Sequence, residues 1–175
     1  YYYAYNDRCE FLRINAKNPT DYKVLGTLDR DVTKIQITGM AVDYTTGVMY
    51  GLTLPANYDF STWASTKQIG ELVTIDLDTG AATKIADLDF NTPVFALACD
   101  DKGQLYAAGG TFDYFANTAN IYKLNKETGA LELYTTIDGA GVYTGPCYYG
   151  NHSYNTQMTY DFGTDRLYLN ATVDH

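Results

Sequence analysis

Residues 40–53 read MAVDYTTGVMYGLT, and the same plan returns as LACDDKGQLYAAG at 97–109 and MTYDFGTDRLYLNA at 158–171. Each phrase is an apolar run ending in Asp, a tight turn, and a second run carrying an apolar–Tyr pair. The anchoring Asp43, Asp100 and Asp161 lie 57 and 61 residues apart. A second phrase follows the first two: LVTIDLDTGAATKI at 72–85 and IYKLNKETGALELY at 121–134, with Asp76 and Asn125 at one place 49 residues apart. FLRINAKNPTDYKVL at 11–25 has the same apolar positions and Asn15 at the Asp/Asn place, but lacks the Thr-Gly pair.

Apolar and polar residues alternate through these phrases with the period of two that puts one strand face on a core. Thr79-Gly80 and Thr128-Gly129 supply turns whose glycine takes a positive φ, the signature of hairpins. No ten-residue segment carries a 3.6-residue apolar period. The expectation is all-β: β-propeller blades, each a four-stranded antiparallel repeat, in units at about 1–29, 37–88, 94–137 and 157–175 of one domain spanning 1–175.

The phrases IDLDTGAATKI and YKLNKETGALELY, each after an Asp-turn hairpin ending in Met-Tyr or Leu-Tyr, resemble repeats of the quinoprotein-like and surface-antigen β-propellers of bacteria. The resemblance implies a fold and an extracellular or cell-surface setting. It implies no quinoprotein activity, because Trp63 is the single tryptophan and stands outside the repeat phrase.

The units supply about thirteen strands, against the roughly sixteen of the smallest four-bladed ring. Three explanations are open: a piece of a larger propeller, two copies whose partial units complete one another, or an arc covered by a partner. Alternation already under way at Tyr1 favours the first.

Composition bounds the partners. The chain has 175 residues, 46% of them hydrophobic and 19% charged, and 21 acidic against 12 basic residues give a net charge of −9. That balance excludes nucleic acid and anionic membrane surfaces as partners bound through their phosphates. No stretch approaches a membrane span, so no membrane insertion is expected. Two histidines leave histidine-rich metal sites and Ser-His or Cys-His devices without their parts. No cofactor, metal or catalytic residue is assigned. Cys99, inside VFALAC, reads as a small buried thiol; a Cys9–Cys147 bridge is possible.

In an up-and-down sheet the 1–2 and 3–4 hairpins share one end, and the remaining connections share the other. The hairpins Tyr44–Gly47, Leu77–Gly80 and Asp101–Gly103 are short. The connections Leu54–Ile69, Gly110–Asn120 and Asp138–Thr156 are long, and long connections usually carry binding function. Together those 46 residues hold ten aromatics, against 16 in the other 129. The candidate ligand-binding residues are therefore Tyr58, Asp59, Phe60, Trp63, Phe112, Asp113, Tyr114, Phe115, Tyr143, Tyr148, Tyr149, His152 and Tyr154. Rings interleaved with a few polar groups suit a carbohydrate or protein ligand. The competing expectation is that these rings pack on one another or dock onto other domains of the same polypeptide. A third reading, a hydrolase or lyase using Asp59, Asp113 and Asp138, depends on carboxylate separations that sequence does not set. The repeated Asp residues are expected to accept hydrogen bonds from their own turns.

Overall fold

The computed structural model describes residues 1–6, 10–27, 29–30, 33–34, 36–54, 70–89, 94–109, 118–139 and 157–170, and all regular structure among them is β-strand. Strands β1 (Tyr2–Tyr5), β2 (Glu10–Ile14) and β3 (Tyr22–Thr27) form a three-stranded antiparallel sheet. A two-residue ladder, β4 (Asp29–Arg30) with β5 (Thr33–Lys34), follows. Strands β6 (Gln36–Asp43), β7 (Val48–Leu54), β8 (Glu71–Ile75) and β9 (Ala82–Asp87) make a four-stranded meander. So do β10 (Val94–Cys99), β11 (Leu105–Gly109), β12 (Thr118–Leu124) and β13 (Leu131–Asp138). Strands β14 (Gln157–Asp161) and β15 (Arg166–Asn170) pair alone.

The sequence units thus map onto separate antiparallel sheets. Two expectations need correction. The connections are shorter than expected: Leu54 ends β7, where it pairs with Gln36, and Thr118–Asn120 belong to β12 and Asp138 to β13, because Thr118–Asn120 pair with Thr136–Asp138. The β4–β5 ladder was not anticipated, since two-residue strands leave no alternation to read.

Successive sheets stack face to face, and alternation decides which residue faces which way. Phe11 of β2 and Met49, Val73 and Ile75 of the β6–β9 sheet share one buried cluster. From the opposite face of that sheet, Tyr50, Leu52 and Leu72 pack with Leu97, Cys99, Leu105 and Leu124 of the β10–β13 sheet. Ala96, Ala98, Ala108 and Ile121 on the far side of the latter meet Met158 of β14, with Leu167 and Leu169 packed around them. Strand β10 is therefore covered on both faces, which is why VFALAC is buried at all six positions rather than at alternate ones.

The first strands of three sheets converge: β10 packs against both β6 and β14, and β14 reaches β6. Their approach is close enough to require Gly39, where a Cβ would lie 2.8 Å from the Leu97 nitrogen and 2.9 Å from the Phe95 oxygen.

Candidate functional site

In the two four-stranded meanders the 1–2 and 3–4 turns fall at one end, and this short-turn end is built from repeated Asx turns. Asp43 Oδ1 accepts hydrogen bonds from the Thr45 amide at 2.9 Å and the Thr45 hydroxyl at 2.6 Å. Asp100 Oδ1 accepts from the Lys102 and Gln104 amides at 2.9 and 2.8 Å. Asp161 accepts from the Gly163 amide at 2.8 Å and the Thr164 hydroxyl at 2.6 Å. The second phrase repeats the device: Asp76 Oδ1 accepts from the Asp78 and Thr79 amides, and Asn125 Oδ1 from the Glu127 and Thr128 amides. Gly80 and Gly129 close these turns at φ 73° and 70°. Asn15 plays the part without a Thr-Gly, accepting from the Lys17 amide at 3.0 Å.

The three leading carboxylates nevertheless occupy unlike surroundings. Asp161 is set in an exposed turn, and hydrogen bonding, first from the Thr164 hydroxyl, holds its carboxyl below the usual range. Asp100 is buried, and its Oδ2 lies 3.4 Å from the Tyr106 hydroxyl. Burial, then the Asp100 charge, pushes the Tyr106 phenol up to about 12. Asp43 is fully buried, and its Oδ2 accepts from the Lys126 ammonium at 2.6 Å, across 83 residues of sequence. Burial alone would raise the Asp43 carboxyl; the Lys126 ammonium and the Thr45 hydrogen bonds outweigh it and hold the group well below the usual carboxylate range.

Asp43 is thus more than the local turn acceptor its sequence context suggested. Around the pair, Gly103 at φ 79° presses on the carboxylate, for a Cβ there would lie 3.0 and 3.1 Å from its two oxygens. Cys99 is buried and free, as expected from VFALAC, and desolvation pushes its thiol up to about 12. Asp43, Asp76, Asp100 and Asp161 are committed to their own turns, with Lys126 a further partner of Asp43 and Tyr106 of Asp100, an arrangement suited to holding sheets in register.

The sequence reading also missed an aromatic corner. Tyr44 and Phe162, each directly following its repeated Asp, meet edge to face at 5.2 Å, and Tyr160 meets Phe162 at 5.0 Å. Tyr44 is 70% and Phe162 51% exposed. The signal was present in the aligned phrases, which place Tyr, Asp and Phe at that position.

The opposite end is where β7 ends and β8 begins, β11 ends and β12 begins, and β13 ends. The chain between those points is 55–69, 110–117 and 140–156. Every candidate ligand-binding residue, Tyr58, Asp59, Phe60, Trp63, Phe112, Asp113, Tyr114, Phe115, Tyr143, Tyr148, Tyr149, His152 and Tyr154, lies outside the described residues, as do Cys9 and Cys147. Of the three carboxylates considered for hydrolysis, Asp138 is exposed at the end of β13, and Asp59 and Asp113 lie outside the described residues.

A shallow cleft of about 300 Å³ opens between Asp87–Asp89 and the Thr128–Leu131 turn, with Tyr122 in its wall. Among the described residues no cluster of three or more His, Cys, Asp or Glu side chains could hold a metal ion, and no helix is long and apolar enough to cross a membrane. Neither a protein-family model nor a curated protein matches the chain.

Proposed function

We propose that the chain is a β-propeller module whose sheets are blades, and that it binds a carbohydrate or protein ligand outside the cell through the end opposite the short turns. One observation carries the reading. Strand order puts the points where the chain leaves and rejoins the sheets around 55–69, 110–117 and 140–156 at a single end of the stack, and the sequence of those three connections contains ten aromatic residues. Large amphipathic rings joined by Asp59, Asp113 and His152 offer stacking area with a few orienting hydrogen bonds. The convergence of the first strands β6, β10 and β14 supports the blade reading. So does the likeness of the repeat phrases to quinoprotein-like and surface-antigen propellers, which also motivates the extracellular setting.

A glycan array and a panel of surface proteins test it. The wild-type chain is expected to capture at least one ligand, and Trp63→Ala with Tyr114→Ala to weaken that capture at least tenfold while the far-ultraviolet spectrum is retained. Capture unaffected by the double substitution, or no capture by the wild type, would overturn the reading.

A further inference from the structure

The stack has two unlike ends, and repeat equivalence says what each should meet. Hairpin alignment places Ile14, Ile75 and Leu124 at one position, and Leu12, Val73 and Tyr122 at another, both on the face toward the preceding sheet. Where a preceding sheet exists, the first position is sealed: Ile75 is 3% and Leu124 1% exposed. The residue supplied by the preceding sheet is equivalent too: Phe11 shares a buried cluster with Ile75, and Leu72 shares one with Leu124. On the β1–β3 sheet no described sheet covers the equivalent face, which carries the cross-strand rows Tyr2–Ile14–Tyr22 and Leu12–Val24. Tyr2 is 63%, Tyr22 60% and Val24 44% exposed, and Leu12 and Ile14 between them are half-buried, so the rows are apolar and partly open to water.

The other end differs. The outward face of β14–β15 pairs Gln157 with Asn170, Thr159 with Tyr168 and Asp161 with Arg166, a largely polar surface. Polar outer faces cap terminal repeats. Contiguous apolar faces mark interaction sites.

We infer that the open face of the β1–β3 sheet is a docking surface for one further antiparallel β-sheet of this same repeat, which lays the bulky apolar residue of its third strand over Leu12 and Ile14. Continuity with the two internal interfaces identifies the occupant: the same positions are covered twice within the chain by the same element with the same polarity. A second copy's β14–β15 pair does not meet the requirement, because its outward face is polar and, among the described residues, it has no third strand like those that carry Phe11, Leu72 or Ile121 in the other sheets. The inference does not depend on the proposed ligand.

The full chain extended before Tyr1 by a flexible linker and a second copy of residues 36–89 tests this. Amides of β1–β3 are expected to gain at least tenfold protection from hydrogen exchange, and anilinonaphthalene sulfonate fluorescence to fall at least twofold. Leu72→Glu in the added copy alone should abolish both gains. An added copy that stays unprotected, a β1–β3 sheet that gains nothing, or a gain that survives Leu72→Glu would overturn the inference. So would an unextended chain that light scattering finds at twice its 19.5 kDa and that Ile14→Glu returns to monomer, for the occupant would then be a second copy.

Discussion

The two second-phrase turns, Asp76–Gly80 and Asn125–Gly129, share backbone, capping and pattern of exposure, yet bind the preceding sheet by opposite chemistries. At the position after the cap, Leu77 joins the apolar cluster around Phe11, whereas Lys126 spans to the buried carboxylate of Asp43. The seats differ as well: a Cβ on Gly80 would lie 2.9 Å from the Phe11 Cβ, and one on Gly129 would lie 3.0 Å from the Ala86 Cβ. Equivalent backbone therefore tolerates either solution, and the neighbouring face decides which is stable. An ammonium at 77 would meet apolar side chains; a leucine at 126 would strand a carboxylate.

The sharpest break in the comparison is Lys126→Met. Removing one partner of a buried pair leaves an uncompensated charge, and with the Lys126 side chain 31% exposed we expect a loss of about 2–3 kcal/mol, below the roughly 3–5 of fully buried pairs. Denaturant unfolding measures it; a loss under about 1 kcal/mol would show that Thr45 alone sustains the carboxylate. Adding Asp43→Asn to Lys126→Met should recover more than half of that loss, because the amide keeps the turn bond without a charge.

The reciprocal swap, Leu77→Lys, should cost about 1–2 kcal/mol, since a half-buried lysine can carry its ammonium to water. Acid gives a finer distinction. Asp43 titrates lower folded than unfolded, so its stabilisation is complete above the unfolded value of about 4 and drains away as pH falls toward the folded value. Wild-type stability should therefore fall more steeply below pH 4 than that of Lys126→Met; parallel profiles would remove Lys126 as the cause. The smallest effects are expected at the turn threonines. Thr79→Ala and Thr128→Ala should each lower the melting midpoint by about 1–3 °C, and a much larger drop at one would mean the turns are less alike than their hydrogen bonds suggest.

What could be read in advance was what repeats. The paired phrases gave the strands, the Asx turns and the positive φ of Gly80 and Gly129, because these depend on residues within six of one another. The burial of Cys99 was legible because an unbroken apolar run has no face left for water. Lys126 was not legible: its acceptor lies 83 residues away, and a lysine in a turn ordinarily points at solvent. The Tyr44–Phe162 contact was legible only in part: the aligned phrases put aromatics at one turn position, but the rings meet only because separate sheets bring their first turns together. The open face of β1–β3 needed the stack itself, since Leu12 and Ile14 have the same pattern as residues that are covered elsewhere.

Cys99 turns one of these interfaces into something that can be timed. Thiol reagents attack the thiolate, and with the group pushed up to about 12 almost none is present at neutral pH while the sheets are closed. Its side chain is sealed between the β6–β9 and β10–β13 sheets, beside the Asp43–Lys126 pair. With Cys9 and Cys147 replaced by serine, the rate of modification at this one sulfur becomes a clock for how often those sheets part. Lys126→Met should make that clock run faster.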